Sequence, residues 1–173
     1  MKSLRPLDYK ILFELMKNAR ISDRKMAKIL GVSQATVSRR RARLEKQRLL
    51  EYTAIPNLEE LGYDIIAFVF LIWKREEHKK LAQEEDHMKR VRAFMSKYPN
   101  IIFASSGQGL GMTRLTITIH KGYSDYVEFK RKIEGEWGKY IDKLESFIVS
   151  LKSDNVVRQL TLKHLAEYLL KTM

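Results

Sequence analysis

A chain of 173 residues with 45% hydrophobic content holds enough apolar surface for one moderate core and a small accessory domain, so two domains are expected. It has no cysteine, which excludes disulfides, thiolate metal sites and a cysteine nucleophile and fits a cytoplasmic setting, and its longest apolar run, residues 65–73, is too short to span a membrane. The net charge of +12 is concentrated: residues 1–50 hold 14 Lys/Arg against 4 Asp/Glu, whereas residues 51–173 hold 19 against 17, so the first fifty are suited to a polyanion.

Lys2 and Arg5 lead into Pro6, Asp8 and Lys10 rather than an apolar stretch, so no secretory leader is expected. Residues 4–19 place Leu7, Ile11, Leu12, Leu15 and Met16 at helical spacing, with Pro6 in the first turn, where its missing amide does no harm. Ser22 is suited to cap a short helix from Asp23 that carries Met26, Ala27, Ile29 and Leu30, and Gly31 permits the left-handed exit that ends it. Val32 can plug the corner, and Ser33 caps a second helix over 34–47, whose Val37 and Leu44 lie two turns apart on one face. Ala27 has almost no side chain, so the two helices can cross closely. The pattern is a helix-turn-helix.

The chemistry of the second helix matches the charge argument. Ser33, Gln34, Ala35, Thr36 and Ser38 cluster at its N-terminal end, where such a helix meets base edges, and Gln34 and Ser38 are the expected base readers. Arg39, Arg40 and Arg43 follow, with guanidinium groups suited to phosphates or guanine edges. Any one arginine is ordinarily a solvated surface residue, but +10 of the +12 falls on residues 1–50, which carry the helix-turn-helix pattern, and that points to double-stranded DNA. A membrane-surface helix would need large apolar residues opposite its charges, and only Val37 and Leu44 stand there.

Residues 49–55 are extended in character, and Pro56, Asn57 and Gly62 punctuate a hinge over 56–62. The expected division is a DNA-binding domain over 1–55, the hinge, a second domain over 63–153 and a helical extension over 154–173. In the second domain the apolar run before Trp73 reads as a strand covered on both faces. A helix over 75–98 follows, with Leu81, Met88, Val91, Phe94, Met95 and Tyr98 on one side and Pro99 as its stop. Strands are expected over 101–106, 114–120 and 144–151, with a helix capped by Ser124 and ending near Gly138 between the last two. This strand, helix, strand, strand, helix, strand order gives a ferredoxin-like βαββαβ unit and an α+β chain overall, with one sheet face left for a second subunit to cover. The tail, with Thr161 as cap and Leu162, Leu165, Ala166, Leu169 and Leu170 as its apolar side, reads as one more helix that docks on its own or a neighbouring subunit.

The GQGLG stretch precedes a strand rather than a helix, so it reads as a hairpin and not as a phosphate loop. His78 and His87 fall on opposite sides of a helix, so with Glu84 and Asp86 they read as a solvated face. No metal or cofactor is expected. His120 and His164 stand apart from any catalytic set, so the chain is not read as an enzyme.

The N-terminal third resembles the Lrp/AsnC, or feast/famine, family of transcriptional regulators. The likeness lies in Leu7-Asp8, Ile11-Leu12, Leu15, Ala19-Arg20-Ile21-Ser22, Ala27, Leu30-Gly31-Val32-Ser33, Thr36-Val37, Arg39-Arg40 and Arg43-Leu44-Glu45, and continues through Tyr52-Thr53-Ala54 and Leu61-Gly62. The resemblance implies a sequence-specific regulator that binds pseudo-palindromic sites as a homodimer or as a tetramer or octamer. It also implies an amino-acid-like effector at Gly107, Gln108, Gly109, Leu110, Gly111, Met112 and Thr113. Departures are Arg41 in place of an inward aliphatic residue, Arg48 in place of glycine, the missing aspartate in GQGLGMTR, the long helix from Arg75 and the extra terminal helix. Two alternatives stand beside this reading. One is an enzyme similar to the siroheme decarboxylases, with His120 beside the glycine loop and Arg114 as carboxylate contacts; the other is a DNA binder of architectural type without sequence preference.

Overall fold

The computed structural model describes residues 4–171 apart from 84, 85, 153, 155 and 159, and separates them into two units. The first runs to Ile55 and resumes at Arg158; the second is Pro56–Val157.

In the first unit α1 (Pro6–Lys17), α2 (Asp23–Leu30) and α3 (Gln34–Lys46) close over Ile11, Leu15, Ile21, Met26, Ala27, Val37 and Leu44. The local chemistry acts as the sequence implies. Ser22 and Ser33 each accept an amide of the first turn, from Lys25 and Thr36 at 3.2 Å, and Gly31 takes φ 66° at the corner. Val32 packs under that corner and Ala27 is buried where α2 meets α3. Arg48, just beyond the end of α3, adopts φ 54°, a left-handed conformation that a side chain makes unfavourable, while the Leu49 amide reaches back to the Leu44 carbonyl.

α7 (Lys163–Lys171) completes this unit by packing on α1. Phe13 of α1, only 2% exposed, lies about 160° round the helix from Ile11, away from the three-helix core. Ala166 of α7 is fully buried. The terminal segment that the sequence sets apart as an extension therefore groups with the helix-turn-helix unit. Its Leu170 side chain lies outside the described residues.

The second unit is one antiparallel sheet in the order β2-β3-β1-β4, formed by β1 (Ile65–Trp73), β2 (Ile101–Gly109), β3 (Met112–His120) and β4 (Ile141–Ser150). Helices α5 (His87–Lys97) and α6 (Tyr123–Trp137) pack on one face, where Leu71, Phe94, Phe129, Ile133, Trp137, Tyr140 and Ile141 form the core. This is the expected α+β, ferredoxin-like arrangement. The expected helix over 75–98 is divided into α4 (Arg75–Gln83) and α5, because residues 82–87 supply no large apolar side chain to hold one continuous buried stripe. Leu81, placed on the apolar side of that helix, lies outside the described side chains. Gly122 rather than Ser124 precedes α6, and the Asp125 carboxylate takes the Lys121 amide at 3.0 Å. The strands are longer than expected: β2 and β3 run through most of the glycine stretch, leaving a two-residue turn. Its residues Leu110 and Gly111 have φ 53° and 69°, the left-handed pair that a hairpin with natural strand twist requires.

Residues paired in register share a face. Ile65, Ala67, Val69 and Leu71 point to the helices, so Ile66, Phe68 and Phe70 and their partners Ile119, Ile117, Leu115, Val149 and Phe147 line the other. Phe103 and Phe147 on that side are 49% and 65% exposed.

Candidate nucleic-acid interface

The first unit places three different environments around α3. Successive residues turn by about 100°, so Ala35, Arg39, Ala42 and Lys46 fall within about 60° of one another, opposite buried Val37 and Leu44. All four are exposed, as is Gln34. Gln34, Arg39 and Lys46 form no side-chain hydrogen bond or ion pair with any described residue. The small side chains of Ala35 and Ala42 flank Arg39 and leave its guanidinium standing proud.

Towards α1, Arg40 Nη1 meets Asp8 Oδ1 at 2.8 Å and Arg43 Nη2 meets Asp8 Oδ2 at 3.0 Å. Asp8 is wholly buried, and the Arg5 backbone amide donates to its Oδ2 at 2.9 Å. Burial alone would raise the Asp8 pKa, but the Arg5 amide and the two guanidiniums outweigh it and hold the carboxyl below its ordinary 3.8. Towards α2, the Ser38 hydroxyl donates to Asp23 Oδ2 at 2.5 Å, and Arg41 reaches Asp23 at 3.1 Å and the Ile21 carbonyl at 3.4 Å. Arg41 Nε also donates to the Tyr52 hydroxyl at 2.6 Å, Tyr52 donates to Glu45 at 2.8 Å, and the Arg41 guanidinium lies 5.0 Å from the Tyr52 ring centre. Arg41 thus replaces an inward aliphatic residue by an ionic and aromatic clasp that fastens residue 52 to the helix.

The eight residues named from the sequence therefore separate. Ser33 and Thr36 build the helix start, their hydroxyls 2.9 Å apart. Gln34, Ala35 and Arg39 face outward, whereas Ser38, Arg40 and Arg43 bond within the fold. Lys46 and Ala42 join the outward set, and a count of turns from Arg39 identifies them. Asp8 gave one signal, a carboxylate among Leu7, Ile11, Leu12 and Leu15; which cations it meets depends on α1 crossing α3.

In the second unit, the glycine hairpin borders a shallow depression of about 260 Å³ on the open sheet face, lined by Phe70, Leu110, Met112, Lys143, Glu145, Ser146 and Phe147. Of the seven residues expected at an effector site, Leu110 and Met112 line it, while Thr113 donates to the Leu71 carbonyl at 3.3 Å. Gly107, Gln108, Gly109 and Gly111 are absent from that lining. His120 does not lie beside the glycine loop. It ends β3 opposite Ile65, about 27 Å along the strand from Met112. The enzyme alternative placed it with Arg114 near the loop, and strand length separates them. His120 is fully buried between Tyr126 and Phe129, with Nε2 2.8 Å from the Thr118 hydroxyl and Nδ1 3.6 Å from Asp125. Burial pushes its pKa down despite Asp125. Glu84 lies outside the described residues, and among those described no group of three His, Asp or Glu could hold a metal. Nor is any described helix long and apolar enough to cross a membrane.

Residues 6–45 match the AsnC-type helix-turn-helix domain. The HTH-type transcriptional regulator FL11 of Pyrococcus furiosus is 25% identical over 137 residues, covering 78% of this chain and 84% of that protein. An AsnC family transcriptional regulator from Agrobacterium tumefaciens superposes with a TM-score of 0.72 at 17% identity, covering 94% of this chain and 99% of that one. A transcriptional regulator from Neisseria meningitidis, solved in complex with L-Met, superposes at 0.71 and 20% identity with the same coverage.

Proposed function

We propose that this chain, whose residues 6–45 match the AsnC-type helix-turn-helix domain, is an Lrp/AsnC-type transcriptional regulator that recognises specific duplex sequences by laying α3 in the major groove. The observation that carries this reading is the outward stripe of α3, where Arg39 and Lys46 are cations without partners among the described residues and Ala35 and Ala42 let the helix approach the base edges. Arg39 reads a guanine, Gln34 an adenine, and Ala35 packs on a thymine methyl. Ser33 and Thr36 meet the backbone beside the helix start, and Ser38, Arg40 and Arg43 border the groove on its two sides.

Two copies joined through the open sheet face make the functional unit. Phe68, Phe70, Phe103, Ile117 and Phe147 supply an apolar surface of the kind a second subunit covers, and the paired heads read a pseudo-palindrome. Tetramers or octamers extend the same principle, in the cytoplasm where DNA is met. An amino-acid-like effector binds at the depression beside Leu110 and Met112; the L-Met complex of the Neisseria protein supports that chemistry.

Selection of bound fragments from random DNA, followed by binding across a salt series, tests the reading. Arg39→Ala is expected to lower affinity for the selected site by about 1–3 kcal/mol and to relax preference at one base pair. Equal binding of the wild type to every duplex would instead mark an architectural binder. For the effector, amino acids including L-Met are expected to shift site affinity or assembly, and a flat response across the set would remove this part of the reading.

A further inference from the structure

The geometry points to Asp8 as a specificity-determining positioning residue: from beneath α3 it grips Arg40 and Arg43, turning two mobile cations into a fixed pair and withdrawing one unit of positive charge from the face presented to any duplex.

Asp8 is built to stay in place. It is the third residue of α1, wholly buried, with its own Oδ2 held by the Arg5 amide at 2.9 Å, so the carboxylate is shielded from solvent and tied to the helix start. Each oxygen takes one guanidinium, at 2.8 Å and 3.0 Å, and charge-assisted bonds of this kind fix direction as well as distance. Arg40 and Arg43 are three residues apart on the same side of α3, and 18% and 39% of their side chains stays exposed. Their outer edges therefore face the solvent in one orientation. Arg39 and Lys46, by contrast, are exposed and have no hydrogen-bond or ion-pair partner among the described residues.

That difference separates two kinds of binding. Non-specific affinity comes from cations that follow whatever phosphates are nearest, and it grows with the number of phosphates neutralised. Specific affinity needs contacts that form only when the helix sits at one depth and register. Pinned arginines serve the second and are poorly suited to the first. Three charges joined as one carboxylate and two guanidiniums also present +1 rather than +2 to a wrong sequence.

The inference rests on the reading of α3 as the groove helix. Its test uses the full chain on two labelled duplexes, one carrying the site recovered by selection and one with that site scrambled, titrated across a potassium chloride series. Asp8→Asn, checked by circular dichroism, is expected to bind the scrambled duplex several-fold more tightly. Its log–log salt slope there should steepen by about one to two, as one or two phosphates are recruited, and the preference for the selected site should drop roughly tenfold. Parallel weakening on both duplexes with unchanged slopes would make Asp8 a structural residue only and overturn the inference. Arg40→Gln keeps Asp8 paired with Arg43 and decides the matter should Asp8→Asn fail to fold. A pinned Arg40 contributes little to scrambled DNA, so that slope is expected to hold while affinity for the selected site drops. Flattening of the scrambled slope by about 0.9 would show Arg40 to be a mobile cation and overturn the inference. A wild-type chain that prefers neither duplex would sink the functional reading itself, a different outcome from either variant result.

Discussion

The two units bury ionisable groups in opposite ways. In the first, Asp8 stays charged because an amide and two guanidiniums surround it, and Asp23, Arg41, Glu45 and Tyr52 form a second polar clasp across the same small domain. In the second, His120 is kept neutral among aromatic rings, and the core is built from Trp73, Phe94, Phe129, Trp137 and Tyr140 in edge and tilted contacts. A domain of about fifty residues plus one helix has little apolar interior. Charge pairing supplements that interior and at the same time decides which cations remain outside.

The contrast can be broken most forcefully at Trp137. Trp137→Ala removes an indole that lies 5.9 Å from Trp73 and 5.6 Å from Phe94, and is expected to destabilise the second unit by about 3–5 kcal/mol. Hydrogen exchange should then accelerate in β1 and α6 while α2 and α3 keep their protection, and equal acceleration in both units would show that they do not unfold separately.

A smaller effect follows from pH. His120 has a depressed pKa when folded, so its neutral form stabilises the second unit above 6.5 and that contribution is lost as pH falls through the folded value. Asp8 is also depressed, but from 3.8, so the first unit keeps its contribution until far more acidic conditions. Between about pH 7.5 and pH 5.5 the second unit should weaken alone, and His120→Phe should flatten its dependence. Softening of the first unit over that range would show that another group dominates it.

The smallest effect sharpens the comparison at the end of α3. Arg48 holds φ 54°, and Arg48→Gly is expected to raise thermal stability of the first unit by about 0.5–1 kcal/mol, relief of the left-handed strain outweighing the added freedom of the unfolded chain. A lower melting temperature would mean that the Arg48 side chain itself supports the helix end.

Legibility differed between the units for a physical reason. Ser22, Gly31, Ser33, Val37 and Leu44 act within a few residues of themselves, through caps, a left-handed turn and a two-turn stripe, and local patterns of this kind are written in spacing. The glycine stretch was equally readable as a hairpin, although its strands run further than alternation alone suggested. Less was visible between residues 82 and 87, where an apparently single helix divides, and at Ser124, where Gly122 and Asp125 begin the helix instead.

The order of the strands, the βαββαβ ladder and the basic second helix of the helix-turn-helix were all determined by the chain itself, because hydrophobic period, capping residues and charge placement are local quantities. Tertiary structure alone decided which arginines are free. Arg39, Arg40, Arg41 and Arg43 look alike in sequence, but Asp8 reaches across 32 and 35 residues to two of them and Asp23 across 18 to a third, leaving Arg39 on the outward face. The same holds for α7, whose packing on α1 joins the end of the chain to its beginning, a pairing that no local pattern encodes.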